Sequence, residues 1–228
     1  MVSIGGLQRS SLIDYPDKIS AIIFTQGCNF KCPYCHNPEL NSAQGNPYDK
    51  RMVLEFLKTR VGKLDGVVIT GGEPTLHKNL PDFIAKIKEM GYCVKLDTNG
   101  TNPQMLQELL DKKLIDYVAM DIKAPIKKYA QVVCMPVNTE DIKKSIKILE
   151  DSDVRYEFRT TVVKSQLSPE DIAQIGEMVK GADKYYLQRF LQTKTLDNGY
   201  ITELTYSDDE FWSIVKMLPK HIKHVQLR

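Results

Sequence analysis

Gly66-Val67-Val68-Ile69-Thr70-Gly71-Gly72-Glu73-Pro74, then Leu80-Pro81-Asp82-Phe83-Ile84-Ala85-Lys86-Ile87-Lys88-Glu89-Met90, then Cys93-Val94-Lys95-Leu96-Asp97, spell a strand, a helix and a second strand. The outer pieces are short apolar runs, as expected of strands covered on both faces, and the middle piece spaces its apolar residues helically. A helix that returns the chain to begin another strand in the same direction builds a parallel sheet.

The same alternation extends both ways. Upstream, a strand over 19–26 precedes a helix over 49–60; downstream, a helix over 103–113 completes the third unit. Strands over 117–123, 155–163 and 185–188 precede helices over 139–150, 169–180 and 208–218, and a short strand follows at 224–227. The helices carry their own punctuation. Ile142, Ile146 and Leu149 form one stripe while Lys143, Lys144 and Lys147 point elsewhere, so the lysine run reads as a solvated face. Ser168-Pro169-Glu170-Asp171 supplies a hydroxyl cap, a first-turn proline and first-turn acids, with Gly181 expected to close the far end. Ser207 and Pro219 bracket the last helix.

No G-x-G-x-x-G follows the first strand, which disfavours a dinucleotide-binding open sheet. The expected fold is α/β: a partial (β/α)6 barrel with helices outside, and its site on the loops after the strand carboxyl ends. One domain over 1–228 is expected, with an extension at 1–18 and the six units plus the short strand at 19–228.

Composition sets the background. With 228 residues, 42% hydrophobic and 26% charged, the chain can bury one substantial core. Its 31 basic and 29 acidic residues are well mixed, so it has no basic stripe for nucleic acid. The start, Met1 to Arg9, lacks the order of a signal peptide, and no apolar run would cross a bilayer. A cytoplasmic protein without a membrane partner is expected. Cys93 and Cys134 sit among apolar neighbours and read as buried, inert thiols.

The other three cysteines lie within eight residues, Cys28, Cys32 and Cys35, on the loop after the first strand. Gly27, Asn29 and Pro33 favour a wrapping loop over a helix. Three thiolates can hold an iron-sulfur cluster and leave one iron free. A structural zinc site with His36 as fourth ligand is the alternative, although zinc frameworks usually pair two knuckles and no second one is present. At the end of strand two, Gly71-Gly72-Glu73-Pro74 joins two glycines that permit close backbone approach to a turn-fixing proline. A plain glycine-rich turn would look the same.

Together these motifs resemble the radical S-adenosylmethionine enzymes: C-x3-C-x2-C with an aromatic residue, here Tyr34, before the last cysteine, and the G-G-E-P turn. Gln26-Gly27-Cys28 through Cys35-His36-Asn37-Pro38 is similar to the glycyl-radical-enzyme activators within that family. Gly6-Leu7-Gln8 and Ser11-Leu12-Ile13-Asp14-Tyr15-Pro16 resemble activating proteins of anaerobic ribonucleoside-triphosphate reductase. The resemblance implies a 4Fe-4S cluster on Cys28, Cys32 and Cys35, with S-adenosylmethionine on its free iron. It also implies reductive cleavage to methionine and a 5'-deoxyadenosyl radical, which would take hydrogen from a glycine of a partner enzyme. A reduced flavodoxin or ferredoxin is the implied electron donor.

By the same resemblance, Tyr34, Gly71, Gly72, Glu73, Pro74, Asp97, Thr98, Asp121, Lys123 and Arg159 belong to the cofactor pocket. Asp97 could instead belong to an Asn-Gly turn, Asp121 to a surface ion pair with Lys123, and Arg159 to a structural ion pair. Two aspartates beside a cofactor carboxylate repel, so a cation or Lys123 is needed. Related activators place a monovalent cation on residues matching Asp97, Thr98 and Asp121. Asp14 corresponds to an early turn in pyruvate formate-lyase activators and is a weaker candidate to face the partner's glycine loop. Those activators carry a histidine where this chain has Tyr186-Leu187-Gln188-Arg189-Phe190, and no role transfers there. Three alternatives remain: an activator of a pyruvate formate-lyase-like enzyme, a small-molecule enzyme resembling deazaguanine synthase, and a zinc or iron-sulfur binding module.

Overall fold

A computed structural model describes residues 2–41 and 48–228; Met1 of the opening stretch lies outside them. Its sheet contains β1 (Ile4–Ser11), β2 (Ser20–Thr25), β3 (Gly66–Gly71), β4 (Cys93–Thr98), β5 (Tyr117–Asp121), β6 (Arg155–Val162), β7 (Lys184–Arg189) and β8 (His224–Leu227), ordered as in the chain. β2 to β8 are parallel, as the strand-helix alternation requires. No ladder among the described residues joins β8 back to β1, so the α/β barrel is partial.

The helices are α1 (Lys50–Lys58), α2 (Leu80–Lys88), α3 (Pro103–Asp111), α4 (Tyr129–Val133), α5 (Thr139–Glu150), α6 (Pro169–Met178) and α7 (Asp208–Val215). Ser168 and Asp171 form a reciprocal capping box on α6, and Ser207 with Glu210 do the same on α7. Several helices stop before their expected ends because the chain leaves through left-handed residues: Gly91 (φ 88°) after α2 and Lys113 (φ 52°) after α3. Gly181 is not such a cap. It lies against Glu150, where an added Cβ would come within 2.7 Å of the carboxylate.

Two elements were not expected. The stretch read as an extension contains β1, which pairs antiparallel with β2 from Ile4↔Thr25 to Ser11↔Ser20. Its Gly5-Gly6 pair and polar middle conceal an edge strand, because strand propensity chiefly records packing. The short α4 follows a 3-10 turn at Ile126–Lys128, and its Tyr129 hydroxyl bonds the Lys123 amide at 3.2 Å.

Successive strand residues face opposite sides of the sheet. Ala21, Ile23, Val67, Ile69, Val94, Leu96, Val118 and Met120 join the helices in the main core. Ile22, Val68 and Tyr117 form a smaller core on the concave side with Tyr15. Tyr15 reaches there from the turn after β1, and Gly66 leaves it room: a Cβ at that position would lie 2.9 Å from its ring.

Candidate functional site

The cysteine loop leaves β2 at its carboxyl end and is tied down on several sides. The Gly27 amide donates to Leu40 O at 2.7 Å, the Lys31 amide to Val133 O at 2.9 Å, and the Asn41 side chain to Phe30 O at 2.8 Å. Asn29 donates to the Thr101 hydroxyl and accepts from the Asn99 side chain, both at 2.8 Å, linking the loop to the end of β4. The two glycines after β3 serve this loop. Gly71 adopts φ 118°, and an added Cβ would lie 2.3 Å from the Thr25 backbone; at Gly72 it would lie 2.1 Å from Gly27 O. Their freedom therefore lets β3 pass beside the cysteine loop, a closer constraint than room for a ligand.

Glu73 works as a fastener. Its buried carboxylate accepts from the Thr75 hydroxyl (2.5 Å), the Thr98 hydroxyl (2.7 Å) and the amides of Thr75 (3.1 Å) and Asn99 (2.6 Å). Burial raises its pKa, and these donors oppose the rise. The carboxylate thus locks the end of β3 to the end of β4.

A lattice of charges crosses the rim. Arg159 Nε donates to Asp121 at 2.8 Å and Nη1 to Asp97 at 3.3 Å, while Lys123 Nζ meets the other Asp121 oxygen at 3.1 Å. Lys95 Nζ, on a side chain only 3% exposed, takes the remaining Asp97 oxygen at 2.5 Å. Burial disfavours the ionised aspartates, but Arg159 and Lys95 hold Asp97 below its ordinary value, and Arg159 and Lys123 bring Asp121 down to about 2. Burial likewise opposes the charge on Arg159, and the same aspartates outweigh it.

The loop and the rim enclose a cavity of about 260 Å³ lined by Cys28, Cys32, Cys35, Tyr34, Gly71, Gly72, Glu73, Asp97, Thr98, Asp121, Lys123 and Arg159. Thirteen expected residues were Cys28 to Arg159 in this set plus Pro74, and Pro74 alone among them does not line it. Asp14 is not brought there. It lies in the turn between Ser11 and Ser20, at the amino end of β2, whereas the cysteine loop leaves the carboxyl end; its carboxylate bonds Ser11. Cys134 is exposed and Cys93 only half-buried, so the expectation of two buried thiols fails. Cys134 ends α4 in a left-handed conformation (φ 52°) that turns it outward.

Lys95, Asn99, Thr161 and Gln188 also belong to the site or its supports, and all were missed. The signal for Lys95 was the strand period, since a residue two before Asp97 shares its face. Gln188 pairs with Thr161 across β6 and β7. Phe190 stacks on His36 with ring centroids 5.4 Å apart, and Thr193 Oγ1 lies 2.9 Å from His36 Nδ1. His36 thus engages the segment after β7.

The donor chemistry fits an iron-sulfur cluster. Cys28, Cys32 and Cys35 are free and share one cavity, yet no three Cys, His, Asp or Glu side chains among the described residues are gathered around a single metal-ion position. Three free thiols lining one cavity are the donor set such a cluster takes, with one iron left for another ligand. Burial pushes the Cys28 thiol up to about 12 and Cys32 up to about 11, so a bound metal would have to draw off their protons.

The fold and site define an α/β-barrel enzyme class. A family model described as the Radical SAM superfamily matches residues 22–185, and the chain belongs to that superfamily. Membership implies a 4Fe-4S cluster and S-adenosylmethionine. A Methanocaldococcus jannaschii protein, provisionally named a glycyl-radical enzyme activating enzyme, is 38% identical over 99% of this chain and 95% of its own length. A domain of pyruvate-formate lyase-activating enzyme from Bacteroides vulgatus shares the fold, with TM-score 0.58 and 19% identity over 72% of this chain and 98% of that one. Streptococcus suis SuiB bound to S-adenosylmethionine also shares it, with TM-score 0.65 and 16% identity over 88% of this chain and 47% of that chain. The chain is thus a radical S-adenosylmethionine enzyme similar to the glycyl-radical-enzyme activators.

Proposed function

We propose that this chain installs a glycyl radical on a partner enzyme, anaerobic ribonucleoside-triphosphate reductase being the favoured substrate. The reading rests on one conjunction: near-full-length similarity to a protein named as such an activator, and three loop thiols sharing a cavity with the charged rim. Cys28, Cys32 and Cys35 would hold the cluster, and Lys123 and Arg159 would face the carboxylate of S-adenosylmethionine. A reduced cluster held there would supply one electron for the cleavage of S-adenosylmethionine to methionine and the species that takes a glycine Cα hydrogen.

The chain's own residues provide position and shelter. Glu73 holds the carboxyl ends of β3 and β4 together, and Arg159 fixes Asp97 and Asp121 across β4 to β6. The segment after β7 packs on the cysteine loop through Phe190, Thr193 and the Asp197 amide, which donates to Pro33 O at 3.0 Å. The open barrel leaves a side for a peptide loop to enter. A reduced flavodoxin or ferredoxin would donate the electron, in the cytoplasm; no described helix is long and apolar enough to cross a membrane.

The test is anaerobic reconstitution with iron and sulfide, reduction, and mixing with the reductase and S-adenosylmethionine. A glycyl-radical doublet in electron paramagnetic resonance is expected. Cofactor cleavage without that doublet would reject this partner; the same test with a formate-lyase-like enzyme then distinguishes another glycyl partner from small-molecule chemistry.

A further inference from the structure

The aspartate pair is the place where related activators would hold a monovalent cation, and the side chains here do not fit one. Both oxygens of Asp97 are committed, to Lys95 Nζ at 2.5 Å and Arg159 Nη1 at 3.3 Å. Both oxygens of Asp121 are committed as well, to Arg159 Nε at 2.8 Å and Lys123 Nζ at 3.1 Å. The Thr98 hydroxyl donates to Glu73 and accepts from the Gly100 amide. Three cations already face these two carboxylates, while the Glu73 carboxylate on the same cavity is held by hydroxyl and amide donors. The neighbouring Glu157 does not change that balance, because Arg228 pairs with it at 3.0 Å.

We propose that Lys95 is this chain's built-in substitute for the monovalent cation, so that the S-adenosylmethionine site works without a bound alkali ion. Lys95 is suited to the task by position. Its register partner on β5 is Tyr117, and its ammonium lies 6.0 Å above that ring, so it rises from the apolar floor directly beneath Asp97. Its side chain is 3% exposed, which leaves no water shell to screen it from the carboxylate. A further alkali ion would have to share oxygens that an ammonium or guanidinium already contacts, and would be repelled by three cations set against these two aspartates. The cation unmatched by these two aspartates would instead face the carboxylate of S-adenosylmethionine. Lys95 is a positioning residue here: it acts through Asp97.

This inference rests on the cofactor-pocket reading, but its test needs neither the cluster nor a protein substrate. Thermal unfolding of the metal-free chain is measured in potassium chloride and in choline chloride at equal ionic strength, for wild type and Lys95→Met. Wild type should unfold at the same temperature in both salts. Lys95→Met should unfold earlier in choline and recover about 3 °C or more, saturably, with potassium, as binding to the native state alone requires. Lys95→Arg, which keeps the charge, should remain indifferent to potassium. In the reconstituted enzyme, wild-type cleavage of S-adenosylmethionine should change less than about twofold between the salts. Lys95→Met should lose about tenfold in choline and regain most of it in potassium. Potassium dependence of the wild type would overturn the proposal, and so would a folded Lys95→Met chain indifferent to potassium. Should Lys95→Met fail to fold in either salt, the wild-type comparison still decides. Failure of glycyl-radical formation with salt-independent cofactor cleavage would count against the proposed partner alone.

Discussion

The floor and the rim of the concave face are built from the same strands, a few residues apart, by opposite chemistry. On the floor, Tyr15, Ile22, Val68 and Tyr117 exclude water, and the two tyrosine rings meet 6.0 Å apart. On the rim, Lys95 is as sheltered as the floor, whereas Asp97, Asp121, Lys123 and Arg159 are partly open, and all five join in ion pairs. Burying apolar surface stabilises the fold directly, whereas buried ion pairs cost desolvation and are weak evidence for stability. The floor is therefore the part that holds the barrel together, and the rim the part whose cost must be justified by a ligand. Lys95 belongs to both, with its stem on the floor and its charge on the rim.

The largest expected effect is at the loop above the rim. Cys32→Ala should abolish the iron-sulfur absorption and cofactor cleavage while leaving the unfolding temperature of the metal-free chain nearly unchanged; retained cleavage would break the ligand assignment. On the floor, Tyr15→Ala removes a side chain 2% exposed and should cost about 3–5 kcal/mol in urea unfolding. Cofactor affinity of the folded fraction should stay unchanged; a selective loss of affinity would mean that floor and rim are not separable.

On the rim, Arg159→Met leaves Asp97 to Lys95 alone and Asp121 to Lys123 alone, and should cost about 1–2 kcal/mol while weakening S-adenosylmethionine binding at least tenfold by calorimetry. A variant as stable and as tight as wild type would reduce the lattice to decoration. The acid limit follows from Asp121, whose pKa is depressed from 3.8 to about 2. Its stabilisation, about 2 kcal/mol, is fully present above pH 4 and lost as pH falls from about 4 to 2. The stability gap between wild type and Asp121→Asn should close over that window. A gap constant with pH would show that Asp121 contributes through packing. Smallest of all, Asp14→Ala lies at the amino end of the strands and should change cofactor cleavage and radical yield less than twofold; a large loss would place the partner's contact at that end.

Much of this architecture was legible because it is local. The stripe Ile142, Ile146 and Leu149 located α5 residue for residue, and Ser168-Pro169 and Ser207 marked the starts of α6 and α7. The edge strand at Ile4–Ser11 was hidden because its pairing to β2, and not its composition, makes it a strand. At the site, spacing alone exposed Cys28, Cys32 and Cys35 and the Gly71 to Pro74 turn. Lys95 was marked only by its place two residues before Asp97, and Gln188 not at all, since a lysine or glutamine within a strand is informative only once its face is known.

The sequence by itself determined the alternation of strands and helices, the cysteine spacing and the family, since these depend on residues near one another along the chain. Only the tertiary structure decided which charges meet. Asp97 and Arg159 come together through the β4–β5–β6 register, Glu73 reaches Asn99 across two strand ends, and Asp14 is carried to the opposite end by the β1 hairpin. The physical reason is that Coulomb and hydrogen-bond energies depend on distances in space, and strand register converts sequence separation into those distances.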